Sequence, residues 1–570
     1  MSLNKLKVLN LIKLDPDNNR MVDNIAEKIR REYVNYLVKI GEDNKKNIDL
    51  WVLNFVSRNT LISKLFRDLC FLTLLDEKLK EGYVYDEIIV DSLALKKTIN
   101  RNYYKYNFKV SYKGIGILHT YLRRINSFLK TFKQISSRLL AAWFTRKYKS
   151  IVKTDRALTL LDVFVFENSF NKDIFWDRYY PELLKCFDSG EKEYIYYVPT
   201  FYGIKEYKRI FTEIRKSKQN FLIKEDYLKL KDYMFALSYP LRLNKLKIKY
   251  RDFSGLDIYS LIREEMANDR VSHSSIYSLL NYCFSRRLKE NGIKLRLVVN
   301  WFENQIIDHG FNIGYRKYYP ESKLIGYLGV PLLDNYLSLF PTEQERICDV
   351  IPGEIYVIGK GYVNIIKNFS PGLQVKVAPA FRYSKVWSKR NYFPDKDKCS
   401  ILVALPILMD ESDEIIGIVL EAACSIGISD CSFKIKPHPA CNVKKISDKW
   451  SGRLGRMFKF VGGDFNSCVE KSDILISGSS TVCLETLAKG IPVIIIGNSS
   501  GLTQLPVIPG NIGRDIWRLC YSVDDVIAAI RLYSKRDNKM AGVYKKIGRE
   551  IRSNFFEPVT EIGARKFLGL

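Results

Sequence analysis

Histidine is the scarcest residue type of chemical interest in this chain, with only four among 570 positions, and the 11 cysteines are scattered without a Cys-x-x-Cys pair. Those two shortages argue against a zinc site or a disulfide framework and fit reduced thiols in a cytosolic protein. No apolar run is long enough to span a bilayer, and the opening residues, Met1 to Lys7, lack the apolar core of a signal peptide. A cytoplasmic protein is therefore expected. Acidic residues are also in deficit, 63 Asp+Glu against 91 Lys+Arg, giving a net charge of +28. Such an excess favours anionic partners: nucleic acid, an acidic membrane surface or phosphorylated substrates. Zinc-finger, RNP-type and helix-turn-helix signatures are all missing, so nucleic acid is not the expected partner.

What is present is a globular composition, 46% hydrophobic, in a chain longer than one core supports. At least two domains follow. The most informative stretch runs from Lys434 to Asn498. Phe433 to Ile435 reads as a buried strand, and Lys436-Pro437-His438-Pro439 follows it, where open parallel sheets place ligand-binding groups. The two prolines stiffen the loop around His438. Ile474 to Ile476 reads as a second buried strand, ending in the turn Gly478-Ser479-Ser480. From Thr481 onward Val482, Leu484, Leu487 and Ala488 recur at helical spacing, until Gly490 and Pro492 stop the helix before the strand Val493 to Ile496. A hydroxyl-rich turn at a helix N-terminus suits a phosphate. An N-cap serine explains the same residues.

Lys-Pro-His-Pro paired with Ser-Gly-Ser-Ser-Thr-x-x-x-Glu-Thr-Leu-x-x-Gly-x-Pro-Val resembles the nucleotide-binding half of GT-B glycosyltransferases of bacterial surface carbohydrate. It looks most like the CMP-sugar-dependent Kdo and sialic-acid-type transferases of capsule and O-antigen synthesis. The resemblance implies that Lys436, His438, Gly478, Ser479, Ser480 and Thr481 hold the donor phosphate, and that Glu485 meets the ribose. It also implies metal-independent chemistry without a cofactor, with the nucleotide-sugar as substrate. Wall-teichoic polymerases with a CDP-linked donor carry a similar His-Pro loop, so the motif names the leaving group better than the group transferred.

A second cluster lies past the strand Leu295 to Val299: Trp301, Glu303, Asn304, Gln305, Asp308 and His309. Glycosyl transfer requires a carboxylate or imidazole to take the acceptor proton, or a carboxylate nucleophile. Glu303 is the first candidate for that role, with Asp308 and His309 in reserve. A loop anchor or helix cap explains Glu303 equally well. The Asp/Glu-Asp/Glu-Gly motif of bacterial sialyltransferases is not evident, which leaves base and stereochemistry open. Arg382 suits a place near the donor or an interdomain salt bridge. The acids Asp410 to Glu414 suit the first turn of a helix.

The expected architecture is α/β, with two Rossmann-like domains facing across a cleft (GT-B). Residues 1–80 form a helical N-terminal region. Residues 81–390 form the acceptor domain, whose sheet starts at Tyr85 to Asp91. Residues 391–548 form the nucleotide-sugar domain, with the hinge at Ser388 to Lys398, and residues 549–570 a helix crossing back. Within 103–148, Arg123, Arg124, Lys130, Lys133, Arg138, Arg146 and Lys147 alternate with Phe128, Leu129, Phe132, Leu139, Trp143 and Phe144. That pattern suits a basic amphipathic helix lying on an anionic membrane, or an insertion packed on the sheet. The expected function is transfer of Kdo or another nonulosonic acid from CMP to a glycan or lipid-linked glycan at the inner membrane face. A CDP-linked polyol-phosphate donor and a UDP- or GDP-sugar are the enzymatic alternatives. A non-catalytic basic protein that binds nucleic acid or membrane is the other.

Overall fold

A separate layer is built before either large sheet begins. In the computed structural model, which describes residues 7–149, 151–152, 155–389, 398–425, 430–441, 443–508, 512–535 and 538–570, three short strands, β1 (Val8–Asn10), β2 (Glu87–Val90) and β3 (Lys109–Tyr112), pair in parallel. Helix α1 (Pro16–Glu42) starts where the Asp15 carboxylate accepts from the Asn18 N–H, with proline in its first turn. It packs with α2 (Leu65–Lys80) and α3 (Leu93–Asn102) around Val22, Ile25, Phe66, Leu69, Leu95 and Ile99. The strand expected at Tyr85 to Asp91 therefore exists but belongs to this layer. Its four residues meet only β1 and β3. The 29-residue helix α4 (Ile117–Thr145) then carries the chain to the first large sheet.

Seven parallel strands make that sheet: β4 (Leu158–Val165), β5 (Ile195–Phe201), β6 (Asn220–Phe221), β7 (Leu295–Trp301), β8 (Lys323–Leu328), β9 (Glu354–Val357) and β10 (Gln374–Val377). Their order is β10-β9-β8-β7-β4-β5-β6. Six more make the second: β11 (Cys399–Ala404), β12 (Cys431–Lys436), β13 (Phe458–Phe460), β14 (Ile474–Ser477), β15 (Val493–Ile496) and β16 (Trp517–Cys520), in the order β13-β12-β11-β14-β15-β16. Both sheets are Rossmann-like: the central strands β11, β14 and β15 are buried along their whole length, as expected where helices cover both faces, and the edge strands β6, β10, β13 and β16 are partly open. Strand order reverses between β4 and β7 in the first sheet and between β11 and β14 in the second. Open parallel sheets bind ligands beyond the C-terminal ends of strands at such reversals. Glu303 follows β7, and the serine turn follows β14.

Contacts that join the halves include the following three sets. Leu333 and Pro506 form an antiparallel bridge, flanked by bonds from Asp334 N to Leu505 O (2.9 Å) and from Leu505 N to the Asp334 carboxylate (3.0 Å). Asp23 on α1 accepts from Thr503 N (3.0 Å) and from the Tyr521 hydroxyl (2.9 Å). The C-terminal region, expected as one helix, is two, Asn538–Phe555 and Glu561–Leu568, with Pro558 between them. The second helix returns to the first sheet, where Phe567 packs against Tyr180, Tyr327, Tyr356 and Phe381. Phe567→Ala empties that aromatic nest and is expected to cost about 3–5 kcal/mol, read as a lower midpoint in urea. The proposed hinge falls mainly on residues 390–397, outside the described residues. Among the described residues no helix is long and apolar enough to cross a membrane.

The N-terminal layer buries acids, and this makes its stability depend on pH. Desolvation, then Asp269 and Asp68, pushes Glu265 up to about 8, while Ser63 and the Lys64 N–H oppose the shift. Desolvation raises Asp269 to about 7 against hydrogen bonds from Asn54 and Phe55. Folded-state pKa values above the unfolded ones mean that the folded chain holds more protons from about pH 4 to about pH 8, so stability falls as pH rises through that window. Melting temperature is expected to rise on acidification from about pH 8 to about pH 6. Glu265→Gln should flatten that dependence.

Candidate active site

The two strand ends singled out above supply the C-terminal half of the site. At the end of β12, Lys436 is buried and its ammonium donates to Gly463 O (2.6 Å), tying this loop to the one after β13. His438 Nδ1 accepts from Ala440 N (3.1 Å), and its carbonyl accepts from Cys441 N (2.9 Å). With Nδ1 engaged as an acceptor, the neutral ring carries its proton on Nε2. Burial, then Arg382, Arg178 and Lys436, lowers the imidazole pKa. His438 thus presents an N–H donor without a charge of its own at neutral pH.

The serine turn differs from expectation. Ser479 N donates to Glu411 Oε1 (2.9 Å), and Ser479 Oγ accepts from Gln504 N (3.0 Å). Glu411 is one of the acids expected in a first helical turn, and it stands in the helix Met409–Ala423. It also reaches across the switch point. Gly478 permits that approach, because a Cβ there would collide with the Glu411 carboxylate. Burial raises the Glu411 pKa, and Ser479 opposes the rise. Ser479 is therefore engaged at both its N–H and its Oγ, and Ser480 and Thr481 follow it, half-buried like Ser479 itself. Ser480 Oγ accepts from Val482 N (3.4 Å), and Thr481 hydrogen-bonds Tyr383. Glu485 follows one turn later, pushed up to about 7 by burial against Arg382 and Lys489.

The first sheet supplies the opposite wall. Glu303 accepts from the Trp301 indole (2.9 Å) and the Gln305 amide (2.8 Å). Its backbone N–H donates to Asp308 (3.1 Å), whose carboxylate also accepts from Gln305 N (3.0 Å). Asp308 is buried as part of a capping box with Gln305, and burial followed by Asp162 holds its pKa well above the usual range. His309 is buried too, with one ring nitrogen on Trp51 O (2.6 Å) and the other on Asn304 (2.9 Å). These two reserve candidates are buried in bonds that hold the loop, whereas the Glu303 side chain is half-buried. Behind the loop Asn304 donates to Glu345 (3.2 Å), which is also paired with buried Arg58 (2.8 Å). Glu345 stays below its usual range because Arg58 and His309 outweigh the effect of burial.

Arg382 and Tyr383 lie on the segment Phe381–Trp387 between the two walls. Both lie in the fields of Glu303 on one side and Glu485 on the other. Arg178 and Tyr179 complete the group: Tyr179 feels Arg382, Glu303 and Arg178, and Arg178 stacks against Phe166 and Trp176. Sequence reasoning had no motif by which to find Arg178, Tyr179 or Tyr383. The assembled site sets a neutral imidazole donor among three cations, Arg178, Arg382 and Lys436, with Glu303 and Glu485 at its edges.

No protein-family model matches the chain, and neither does any curated protein. Solved structures do align with it. S. aureus MnaA with UDP is 11% identical, over 72% of this chain and 95% of that one, with a TM-score of 0.42. UDP-GlcNAc 2-epimerase from Neisseria meningitidis bound to UDP-GlcNAc is 13% identical, over 72% and 99%, with a TM-score of 0.41. An α,α-trehalose 6-phosphate synthase from Burkholderia multivorans is 10% identical, over 72% and 95%, with a TM-score of 0.40.

Proposed function

We propose that this protein is a GT-B-type glycosyltransferase that moves a sugar, Kdo or another nonulosonic acid, from CMP to a glycan or lipid-linked glycan of the cell surface, working at the anionic inner face of the membrane. The observation that carries the reading is the field around His438. Its Nε2–H donor, with Arg178, Arg382 and Lys436 nearby, suits an anionic phosphate whose charge grows as the sugar departs. Preorganised donors and cations of this kind stabilise such a transition state without reorganising. Ser480 and Thr481 take the phosphate oxygens, and Glu485 takes the ribose hydroxyls. Glu303, held by Trp301 and Gln305, takes the acceptor proton or attacks the anomeric carbon. No step calls for a metal.

A second reading has support in the same charges. Three cations around one imidazole exceed what a single phosphodiester requires, which favours a diphosphate-linked donor such as a CDP-polyol, UDP-sugar or GDP-sugar. Nucleotide release tests the two. Incubation with a CMP-linked nonulosonic acid should liberate CMP faster than a UDP- or GDP-sugar liberates its nucleotide. Faster release of a nucleoside diphosphate would assign the donor to the UDP- or GDP-sugars, and faster release of CMP from a CDP-polyol, with polyol phosphate transferred to the acceptor, would assign it to the CDP-linked class.

A further inference from the structure

Helix α4 carries an apolar stripe that none of the described residues covers. Its inner face is fixed: Thr131, Ile135, Arg138, Ala142 and Thr145 are buried, Arg138 pairs with Glu225 (2.6 Å), and Arg215 donates to the Thr145 hydroxyl (2.9 Å). Near the N-terminal end Arg124 donates to Asn268 (2.8 Å). The outer face repeats every three or four residues. Leu118, Leu122, Leu129, Phe132 and Trp143 are 72%, 54%, 59%, 53% and 66% exposed, and Ile125, Leu140 and Phe144 extend the same stripe. Soluble surfaces rarely leave so continuous an apolar strip in water. Arg123, Lys130 and Lys133 lie beside it at spacings of seven and three, so a basic stripe runs parallel to the apolar one.

The charge of the region decides what covers it. Residues 92–154 contain fifteen Lys and Arg and not one Asp or Glu. A second copy docked stripe to stripe would bring two acid-free, cationic segments together, and their repulsion opposes that pairing. An occupant with an apolar interior and a negatively charged surface satisfies both stripes at once. We infer that α4 is an interfacial helix, lying in the headgroup region of an anionic bilayer with Leu122, Leu129, Phe132 and Trp143 inserted and Arg123, Lys130 and Lys133 against lipid phosphates. A groove of about 950 Å³ adjoins it, lined by Leu140 and Phe144, with five basic residues, Lys172, Lys205, Lys208, Arg209 and Lys216, against three acidic ones, Asp173, Glu206 and Glu213. Its lining is basic on balance but mixed in charge, so the acid-free face is that of the helix itself. This inference goes beyond the chemistry of the cleft and stands independently of the donor's identity.

Flotation of the full-length protein with vesicles tests it. The protein should float with vesicles of phosphatidylcholine and phosphatidylglycerol and much less with phosphatidylcholine alone, and added salt should release it, because screening weakens the lipid attraction. The double variant Leu122→Glu, Leu129→Glu should lose at least about tenfold in bound fraction with its melting temperature unchanged, since both side chains already face water. Lys130→Glu, Lys133→Glu should lose the preference for anionic vesicles. Three results would overturn the inference: a wild type that floats with neither vesicle, a Leu122→Glu, Leu129→Glu protein that floats like wild type, or a wild-type dimer that this variant dissociates. The last would assign the stripe to a second copy.

Discussion

Replacing His438 with alanine is expected to slow donor cleavage by about 10²- to 10³-fold, the usual consequence of removing one preorganised donor from a developing anion. The fold should survive. His438 is half-buried at a strand end between two prolines, and among the described residues its only side-chain hydrogen bond is the one accepted from Ala440 N. Losing that bond costs about 0.5–1.5 kcal/mol. On the proposed reading the rate effect belongs to Nε2–H. Nδ1 is engaged locally, and burial together with Arg382, Arg178 and Lys436 keeps the ring from gaining a proton. His438→Gln, which keeps a side-chain N–H, should recover part of the lost rate, whereas a purely structural role for the ring predicts a lower melting temperature in both variants. A full-rate alanine variant would remove His438 from the chemistry.

Glu303→Gln should lower kcat by about 10²- to 10⁴-fold, the range for a group that transfers a proton in the rate-determining step. Nucleotide binding should hardly change. Glutamine keeps the size of the side chain and an oxygen to accept from the Trp301 indole, and the loop is held from behind by Asp308, His309 and the Arg58–Glu345 pair. Asp308→Asn, in contrast, alters the capping box and should lower stability and activity together, because its carboxylate accepts the N–H bonds of both Glu303 and Gln305. Comparing the anomeric configuration of donor and product then tells base from nucleophile. Retention in the wild type, together with a trapped sugar on Glu303, would make it a nucleophile; inversion would make it the base. If Glu303→Gln turns over normally, Glu303 only anchors Trp301 and Gln305.

The central strands of both large sheets could be read from sequence because strands buried on two faces are continuous apolar runs, as in Ile474–Ser477 and Val493–Ile496, whereas the two-residue edge strand Asn220–Phe221 could not. The N-terminal layer could not. A three-residue strand such as Val8–Asn10 has no periodicity to detect, and Glu87–Val90 looks the same whichever sheet receives it. Within the site, His438 and the serine turn stood out because each is a compact motif at a strand end. Arg178 and Tyr179 did not, since an irregular loop brings them to the cleft and neighbouring residues carry no pattern. The bond between Glu411 and Ser479 joins residues 68 positions apart, beyond any local signal. Asp308 was legible differently. Three residues after Gln305, at the start of an apolar helix, it has the spacing of a capping box, a cue that outweighs its value as a spare carboxylate.

The proposed function requires that a nucleotide bind between the two sheets through His438 and the cations around it. Calorimetric titration of the purified protein with CMP, CDP, UDP and GDP, repeated on His438→Ala and Ser480→Ala, tests it most directly. Selective binding of CMP is expected, weakened in both variants while their melting temperatures stay near wild type. If none of the four nucleotides binds the wild type, or if binding persists unchanged in both variants, the cleft is not a nucleotide site of the kind proposed.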